Sequence, residues 1–277
     1  MTMSEGLAGE IVRRNNVKVV GKGLQPMMFA HGFGCDQNMW RFVAPAFEDA
    51  YRVVLFDYVG AGRSDLSAYD PNRYSTLQGY AQDVLDIVAT LDLRDVIFVG
   101  HSVSSMIGIL AANREPDRFA DLILVGPSPR YIDDPPDYVG GFGRADIEGM
   151  LDAMDRNYIG WVNTLAPVIM KNEDRPALTQ ELETSFCSTD PKIARQFAQA
   201  TFFADNRADL AAVRVPSLVL QCFDDAIAPT TVGEYVARNI PTSTLRYMKA
   251  TGHCPHMSHP DETIQAIKEY LDGGRDH

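Results

Sequence analysis

Short continuous apolar runs alternate along the chain with stretches whose apolar residues recur at helical spacing. Runs of this kind lie at residues 27–30, 53–56, 96–99, 122–125 and 217–221. Several are rich in β-branched residues and show no polar alternation, which is typical of parallel strands buried on both faces. Because helical periodicity follows most of them, this alternation of strand and helix patterns predicts an α/β fold with a mostly parallel central sheet.

The start of the chain shows a different pattern. Residues 11–20 alternate around Asn15-Asn16, a pair that favours a turn. Alternation on both sides of a turn is typical of two paired strands. We therefore predict a β-hairpin here, at one edge of the sheet.

The strand pattern stops between residues 130 and 208. This segment contains several prolines, many aromatic residues and apolar stripes at helical spacing, and Asp190-Pro191 is a good N-cap and first-turn pair. We predict a helical lid at 130–208, inserted into a core formed by 1–129 and 209–277. Such an insert lies at the carboxyl ends of the strands, where open α/β sheets bind ligands. We expect it to cover a pocket lined by apolar side chains such as Phe33, Phe142, Trp161 and Phe203.

The spacing of apolar residues changes at Ser102 from a continuous strand-like run to helical periodicity. Gly100 stands two residues before Ser102, and Ser104 stands two residues after it. In the nucleophile elbow G-x-S-x-G, small residues at these positions let strand and helix approach closely, and the strained turn exposes the hydroxyl. Ser104 departs from this motif but is small enough to fit. Ser102 is therefore a candidate nucleophile, and an ordinary strand-to-helix turn with a serine cap is the alternative.

A glycine-containing loop, His31-Gly32-Phe33-Gly34, follows the run at 27–30. Glycine allows such a loop to turn close to another element. If Ser102 is a nucleophile, the backbone N–H groups of Phe33 and Val103 are the expected oxyanion hole.

A second glycine pair lies after the run at 53–56. Gly60-Ala61-Gly62 begins the dinucleotide fingerprint G-x-G-x-x-G, but Asp65 occupies the position of the third glycine. Dinucleotide binding is therefore disfavoured.

An acid and a histidine follow predicted strands in the last quarter of the chain. Asp224-Asp225 follows the run at 217–221, and His253 follows a predicted strand near 244–248. The order Ser102, acid, His253 is the order of nucleophile, acid and base in α/β hydrolases. An imidazole can remove the serine proton, and a carboxylate fixes the tautomer of that imidazole. His253 is the candidate base, and spacing alone leaves both Asp224 and Asp225 open as its acid.

A metal site made by His253, His256 and His259 is the alternative interpretation of this loop. Pro255 and Pro260 disfavour a regular helix that would align the three rings, and no cluster of acidic or cysteine ligands supports the site. We expect no metal.

Charge and cysteine content narrow the class of protein. The net charge of −12 disfavours nucleic acid or an anionic membrane as partner, because an acidic surface repels both. The first ten residues show no secretory signal, and no run is long and apolar enough to span a bilayer. The four cysteines are scattered, which is typical of free thiols in a reducing compartment. We expect a cytoplasmic protein.

Seven motifs, spread over the predicted core and lid, carry a family resemblance. They are 31–37, 56–60, 102–104, 138–142, 157–161, 187–191 and 252–260. The chain resembles the α/β-hydrolase group that contains the bacterial stress regulator RsbQ and the plant strigolactone and karrikin receptors. The match extends through the normally variable lid and is closest to RsbQ. The resemblance places the family acid on Asp225.

The resemblance implies a four-helix cap over a mostly apolar pocket and no metal or organic cofactor. It also implies slow hydrolysis of a small ester or lactone through a Ser-His-Asp triad and an acyl-enzyme. RsbQ acts with a PAS-domain phosphatase in stress signalling, so the alternative function is a signalling regulator or small-molecule receptor whose main output is binding such a partner. Two residues depart from the RsbQ pattern: Ser104 replaces an expected glycine, as in the plant receptors, and His31 replaces an expected proline.

Overall fold

The computed structural model describes residues 3–273 and contains one seven-stranded sheet. The strands are β1 Lys18–Val20, β2 Pro26–Ala30, β3 Arg52–Leu55, β4 Val96–His101, β5 Phe119–Val125, β6 Ser217–Asp224 and β7 Ser243–Thr251. Their spatial order is β1-β3-β2-β4-β5-β6-β7. Only the pairing of β1 with β3 is antiparallel; the other five pairings are parallel. The predicted α/β fold with a mostly parallel sheet is confirmed.

Helices cover both faces of this sheet and form the insert. They are α1 Met3–Arg14, α2 Leu77–Thr90, α3 Val103–Arg114, α4 Arg144–Arg156, α5 Tyr158–Met170, α6 Pro176–Cys187, α7 Pro191–Phe202, α8 Arg207–Leu210, α9 Thr230–Asn239, α10 Pro255–Ser258 and α11 Pro260–Gly273. Short 3₁₀ helices lie at Gln37–Trp40, Ala44–Phe47, Leu66–Ala68, Arg73–Ser75 and Pro116–Arg118. Over residues 3–273, no helix combines the length and apolarity needed to cross a bilayer.

Alternate residues of the central strand β4 enter two different apolar layers. Val96 and Phe98 pack with residues of α2 and α3, while Ile97 and Val99 pack with Trp40 and with residues of α11. All six residues of β4 are buried. This explains why residues 96–99 form a continuous apolar run: both faces of the strand are covered, which favours apolar side chains.

The predicted hairpin at residues 11–20 is wrong in its first half. Helix α1 continues to Arg14, Asn16 adopts a left-handed conformation with φ of 44°, and only Lys18–Val20 forms a strand. The Arg14 guanidinium donates hydrogen bonds to Asp83 and Asp86 of α2. Arg14, the last residue of α1, makes these long-range contacts, and alternation within ten residues contains no information about them. The two asparagines do form a turn, but it joins a helix to a strand.

Four long helices, α4 to α7, lie between β5 and β6. Their apolar faces pack against residues from the loops that follow β2, β5, β6 and β7, including Cys35, Tyr131, Ile227 and Cys254. Since these loops leave the carboxyl ends of the parallel strands, the helices lie over that edge of the sheet. We call residues 130–208 the helical insert; this division of the chain, including a four-helix cap, stays a prediction.

Candidate active site

Ser102 occupies a strained turn between β4 and α3. Its backbone has φ of 56° and ψ of −123°, a conformation that residues with a side chain rarely adopt. The Ser102 N–H donates to the carbonyl of Val125, 2.8 Å away, which anchors the turn to the end of β5. A β-carbon at Gly100 would lie 2.6 Å from the carbonyl oxygen of Ser104, so only glycine fits there. These features are those of a nucleophile elbow.

Three side chains from distant parts of the chain meet at this turn. His253 Nε2 lies 2.7 Å from Ser102 Oγ, and His253 Nδ1 lies 2.7 Å from Asp225 Oδ2. A carboxylate only accepts hydrogen bonds, so Nδ1 carries the proton and Nε2 is free to accept the serine proton. The three residues are buried. The arrangement is the one that converts a serine hydroxyl into a nucleophile.

The two adjacent aspartates have different environments. Asp225 is buried, and its Oδ1 accepts hydrogen bonds from the N–H groups of Ile227 and Ala228 at 2.8 and 3.0 Å. Asp224 is exposed and forms an ion pair with Lys171. Only the Asp225 carboxylate reaches His253, so the structure brings together Ser102, His253 and Asp225 and leaves Asp224 outside.

The loop after β2 places a backbone donor beside the elbow. In the part of the chain that the structure describes, the N–H groups of Phe33 and Val103 have no hydrogen-bond partner. The Ser104 hydroxyl donates to the carbonyl of His31 at 2.5 Å, which ties α3 to this loop. Ser104, which departs from the usual motif, thus has a structural partner. Whether the two N–H groups hold an oxyanion stays a prediction.

His31 is completely buried in the same loop. Its Nδ1–H donates to the Gly32 carbonyl at 2.9 Å, and its Nε2 accepts from the Tyr58 N–H at 3.2 Å. One donor and one acceptor on the ring define a neutral tautomer. Burial lowers the pKa of His31, which favours the same neutral form.

A mostly apolar cavity opens next to Ser102, with about 600 Å³ of space that protein atoms do not fill, part of it open to solvent. Its walls come from the helical insert and from the loops at the sheet edge. They include Phe33, Tyr131, Phe142, Ile147, Met150, Leu165, Ile169, Leu182, Phe186, Thr201, Phe202 and Ile227. Cys35 and Cys254 also line it, but burial raises the pKa of both thiols, so they stay protonated and poorly nucleophilic.

Two of the predicted pocket residues lie elsewhere. Phe142 is in the cavity wall, but Trp161 is not; it packs behind the wall, against Phe33 and Phe186. Phe203 is also not in the wall, and its ring lies under the guanidinium of Arg144. Its neighbour Phe202 takes the predicted place. Adjacent residues at the end of a helix point about 100° apart, so only one of the two phenylalanines can face the cavity.

Tyr131 is a polar wall residue that sequence reasoning missed. It is buried, its hydroxyl lies beside that of Ser102, and burial raises its pKa to about 12. The phenol is therefore protonated at neutral pH and can donate a hydrogen bond into the cavity. Its position six residues after β5, at the same sheet edge as the elbow, was the signal available in the sequence.

Two further histidines pack behind the base. His256 lies between Trp40 and His101, with ring centroids 4.5 and 4.3 Å apart, and His101 Nε2–H donates to the carbonyl of His253 at 2.8 Å. His259 bonds instead to Ser258. The three histidines of the metal alternative thus have different surroundings, and among residues 3–273 no group of three metal-ligating side chains is found.

Lowering the pH from 7.5 to 5.5 is expected to reduce the free energy of unfolding. Burial lowers the pKa of His256 to about 3 and that of His101 well below its usual value. Below about pH 6.5 the unfolded chain therefore binds protons that the folded chain does not. Stability present above that pH is lost on acidification, by at most about 1.4 kcal/mol per pH unit for each buried histidine. Urea unfolding at both pH values measures this.

The control for this prediction is His256→Phe, which keeps an aromatic ring against Trp40. Its free energy of unfolding should depend less steeply on pH than that of the unsubstituted protein. Equal slopes for the two proteins would contradict the prediction.

Comparisons with known proteins agree with this architecture. Residues 27–266 match the alpha/beta hydrolase family. The chain is 40% identical to Strigolactone esterase D14 of Arabidopsis thaliana, over 94% of this chain and 97% of that protein. It is 38% identical to Karrikin insensitive 2 receptor CA of Petunia hybrida, over 95% and 97% of the two chains.

A solved structure supports the same assignment. A hydrolase from Oleispira antarctica superposes with a TM-score of 0.94 at 45% identity, covering 96% of this chain and 97% of that one. The relationship to the plant receptors, expected from the motifs, is confirmed at the level of the family, and the narrower closeness to RsbQ stays a prediction. On the family match and these relatives, the chain belongs to the alpha/beta hydrolase family.

Proposed function

We propose that this protein is a serine hydrolase that cleaves small, mostly apolar esters or lactones. The observation that carries the proposal is the chain of 2.7 Å contacts from Ser102 Oγ through His253 to Asp225, at the wall of an apolar cavity. A serine hydroxyl is a weak nucleophile unless a base of this kind takes its proton.

The reaction begins when Ser102 Oγ attacks the substrate carbonyl and His253 Nε2 takes the hydroxyl proton. The carbonyl oxygen becomes an oxyanion, which the N–H groups of Phe33 and Val103 stabilise. The imidazolium, paired with Asp225, then gives its proton to the departing alkoxide. An ester of Ser102 remains, and the alcohol either leaves or, for a lactone, stays attached through its own chain.

Water completes the cycle in the second half of the reaction. His253 removes a proton from a water molecule, whose oxygen attacks the acyl carbon. The tetrahedral intermediate collapses, the proton returns from His253 to Ser102 Oγ, and the carboxylic acid is released. No cofactor takes part in either half.

The cavity wall supports this substrate class. Among the described residues that line the cavity, none is an aspartate, glutamate, lysine or arginine. A charged substrate group would lose its hydration without gaining a partner, which is costly. The proposed substrates are therefore uncharged, with a compact apolar body around a single ester or lactone group.

Tyr131→Phe is expected to lower kcat/KM for a small ester by about 2- to 10-fold, which is the effect of losing one neutral hydrogen bond. The proposed cause is that the Tyr131 hydroxyl donates to an oxygen of the bound substrate. Steady-state kinetics with 4-nitrophenyl acetate measures the change. Phe142→Leu, which alters the wall but removes no polar group, is the control, and equal effects of the two changes would contradict a polar role for Tyr131.

The proposed function is tested by intact-protein mass spectrometry after incubation with phenylmethylsulfonyl fluoride. Attack by an activated serine displaces fluoride and leaves one sulfonyl group on the protein. We expect a single adduct that maps to Ser102, and turnover of 4-nitrophenyl acetate that falls as the adduct forms. An adduct at another residue, or neither adduct nor turnover, would overturn the proposal.

A second candidate function is that of a small-molecule receptor whose output is partner binding. It is favoured by the relatives, one named an esterase and one a receptor, and by the helices that cover the cavity. Ile159 and Val168 are exposed apolar residues on α5. In this alternative, Ile159→Asp or Val168→Asp leaves ester turnover unchanged but abolishes a cellular stress response, through a partner such as a PAS-domain phosphatase in the cytoplasm. An unchanged response would favour the enzyme alone.

A further inference from the structure

The end of helix α5, in the insert, contacts the loop that carries His253. The backbone N–H of His253 donates to the carbonyl of Ile169 at 2.8 Å. Gly252 has φ of 81°, and a β-carbon there would lie 2.3 Å from the carbonyl oxygen of Met170. The two segments therefore approach as closely as a glycine allows, and the candidate base has one backbone partner in the insert.

Two side chains of the turn after α5 also contact the segment that carries His253, one at each end of that segment. Asn172 Nδ2 donates to the carbonyl of Thr251 at 3.0 Å, just before Gly252. Arg175 donates from one guanidinium nitrogen to the carbonyl of Ser258, and from the other to Asn172 Oδ1 at 2.6 Å. Asn172 and Arg175 thus form a hydrogen-bonded pair that contacts both ends of the segment 251–258, which runs from the end of β7 through the His253 loop to the end of α10.

Helix capping explains only part of this arrangement. Asn172 Nδ2 also donates to the carbonyl of Met170 at 2.8 Å, which satisfies one of the free carbonyls at the end of α5. The bonds to Thr251 and Ser258 add nothing to that helix. They end on the loop that holds the base, so the pair has a second role.

We propose that Asn172 and Arg175 are positioning residues for His253, which they hold through the backbone of residues 251–258. This inference rests on the proposed hydrolase function, since it assigns to the pair the placement of the base. His253 Nε2 must stay within hydrogen-bond reach of Ser102 Oγ while its other nitrogen faces Asp225. A displacement of about 1 Å at such a contact lowers the rate by about 100-fold.

The backbone of the turn fits this role. Lys171 and Asn172 have φ of 48° and 56°, in the left-handed region. Asparagine tolerates this conformation better than most residues do, so it can provide the amide group at a position where most side chains would strain the chain. Glycine is the substitution that keeps the backbone and removes only the amide.

The kinetic test uses Asn172→Gly and Arg175→Ala with 4-nitrophenyl acetate as substrate. For both variants kcat is expected to fall about 10- to 100-fold, with KM changed by less than about threefold, because the base is displaced and the cavity is kept. Glu173→Ala is the matched control, since Glu173 lies exposed in the same turn; its kcat should match that of the unsubstituted protein. Unchanged kcat in Asn172→Gly and Arg175→Ala would overturn the inference.

A double-substitution cycle separates positioning from general loosening of the structure. If Asn172 acts through His253, Asn172→Gly has no further effect on the residual rate of His253→Ala, since no base is left to position. A merely structural role predicts that the rate falls by the same factor in both backgrounds. Equal factors would overturn the inference.

Hydrogen exchange of residues 251–258 gives a measurement that does not depend on turnover. In Asn172→Gly these amides, including the one that His253 donates to Ile169, are expected to exchange at least about fivefold faster, because the loop opens more easily. Unchanged exchange would overturn the positioning role whatever the activity. Absence of turnover in the unsubstituted protein would instead overturn the proposed function, and the exchange data would still decide whether the pair holds the loop.

Discussion

Ser102→Ala is expected to lower the turnover of 4-nitrophenyl acetate by about 10⁴- to 10⁶-fold, leaving the background that the oxyanion hole and binding alone can support. Ser102 Oγ is the proposed nucleophile, because His253 Nε2 lies 2.7 Å from it. Without that oxygen no acyl-enzyme can form. Initial rates at saturating substrate measure the loss, and thermal unfolding of the variant shows whether the fold is intact.

Ser105→Ala is the matched control for this change. Ser105 is also buried and lies in the first turn of α3, three residues after Ser102, but its hydroxyl donates back to the carbonyl of Gly100 at 3.0 Å. Its loss costs one hydrogen bond of about 1 kcal/mol in stability and removes no group that faces the cavity. Ser105→Ala should therefore keep most of its activity. If Ser102→Ala retained activity comparable to that of Ser105→Ala, the nucleophile would have to be assigned elsewhere.

The elbow and the sheet could be predicted because their signals are local. Burial on both faces favours a continuous apolar run, as at residues 96–99 of β4, and the change of period at Ser102 lies within a dozen residues. The steric demand at Gly100 is equally local, since the contact that excludes a side chain comes from Ser104. Features of this kind can be predicted because the residues that form them are close together in the sequence.

Other parts depend on contacts that no short window contains. Helix α1 ends where Arg14 meets Asp83 and Asp86, which lie 69 and 72 residues further along the chain. The placement of Phe202 in the cavity wall, and of Phe203 outside it, depends on how α7 is rotated against the core. The Asn172–Arg175 pair gave no sequence signal, because its partners are backbone carbonyls and any residue supplies those.

The choice between Asp224 and Asp225 depends on the directions in which their side chains point. At the end of a strand, successive side chains point to opposite sides. One aspartate therefore points to solvent, where it meets Lys171, and the other points inward to His253. Spacing along the chain places both at the correct edge of the sheet and cannot distinguish them.

Asp225→Asn is expected to lower kcat by about 10⁴-fold, whereas Asp224→Asn should stay within about twofold of the unsubstituted protein. Asp225 Oδ1 accepts the N–H groups of Ile227 and Ala228, so an asparagine would keep its oxygen there and turn its NH₂ group toward His253. That donor stabilises the tautomer with the proton on Nε2. An imidazole in this tautomer cannot accept the proton of Ser102, although the fold and the cavity are unchanged.

The two variants are a stringent comparison, because each replaces one carboxylate oxygen by an NH₂ group at a neighbouring position and each removes one negative charge. A general loss of negative charge near the site would affect both rates alike. Steady-state kinetics from pH 6 to 9, with thermal unfolding of each variant, separates a tautomer effect from lost stability. A large loss in Asp224→Asn, or near-normal turnover in Asp225→Asn, would mean that the carboxylate seen beside His253 does not control its proton, and the proposed acyl-transfer mechanism would have to place the acid elsewhere.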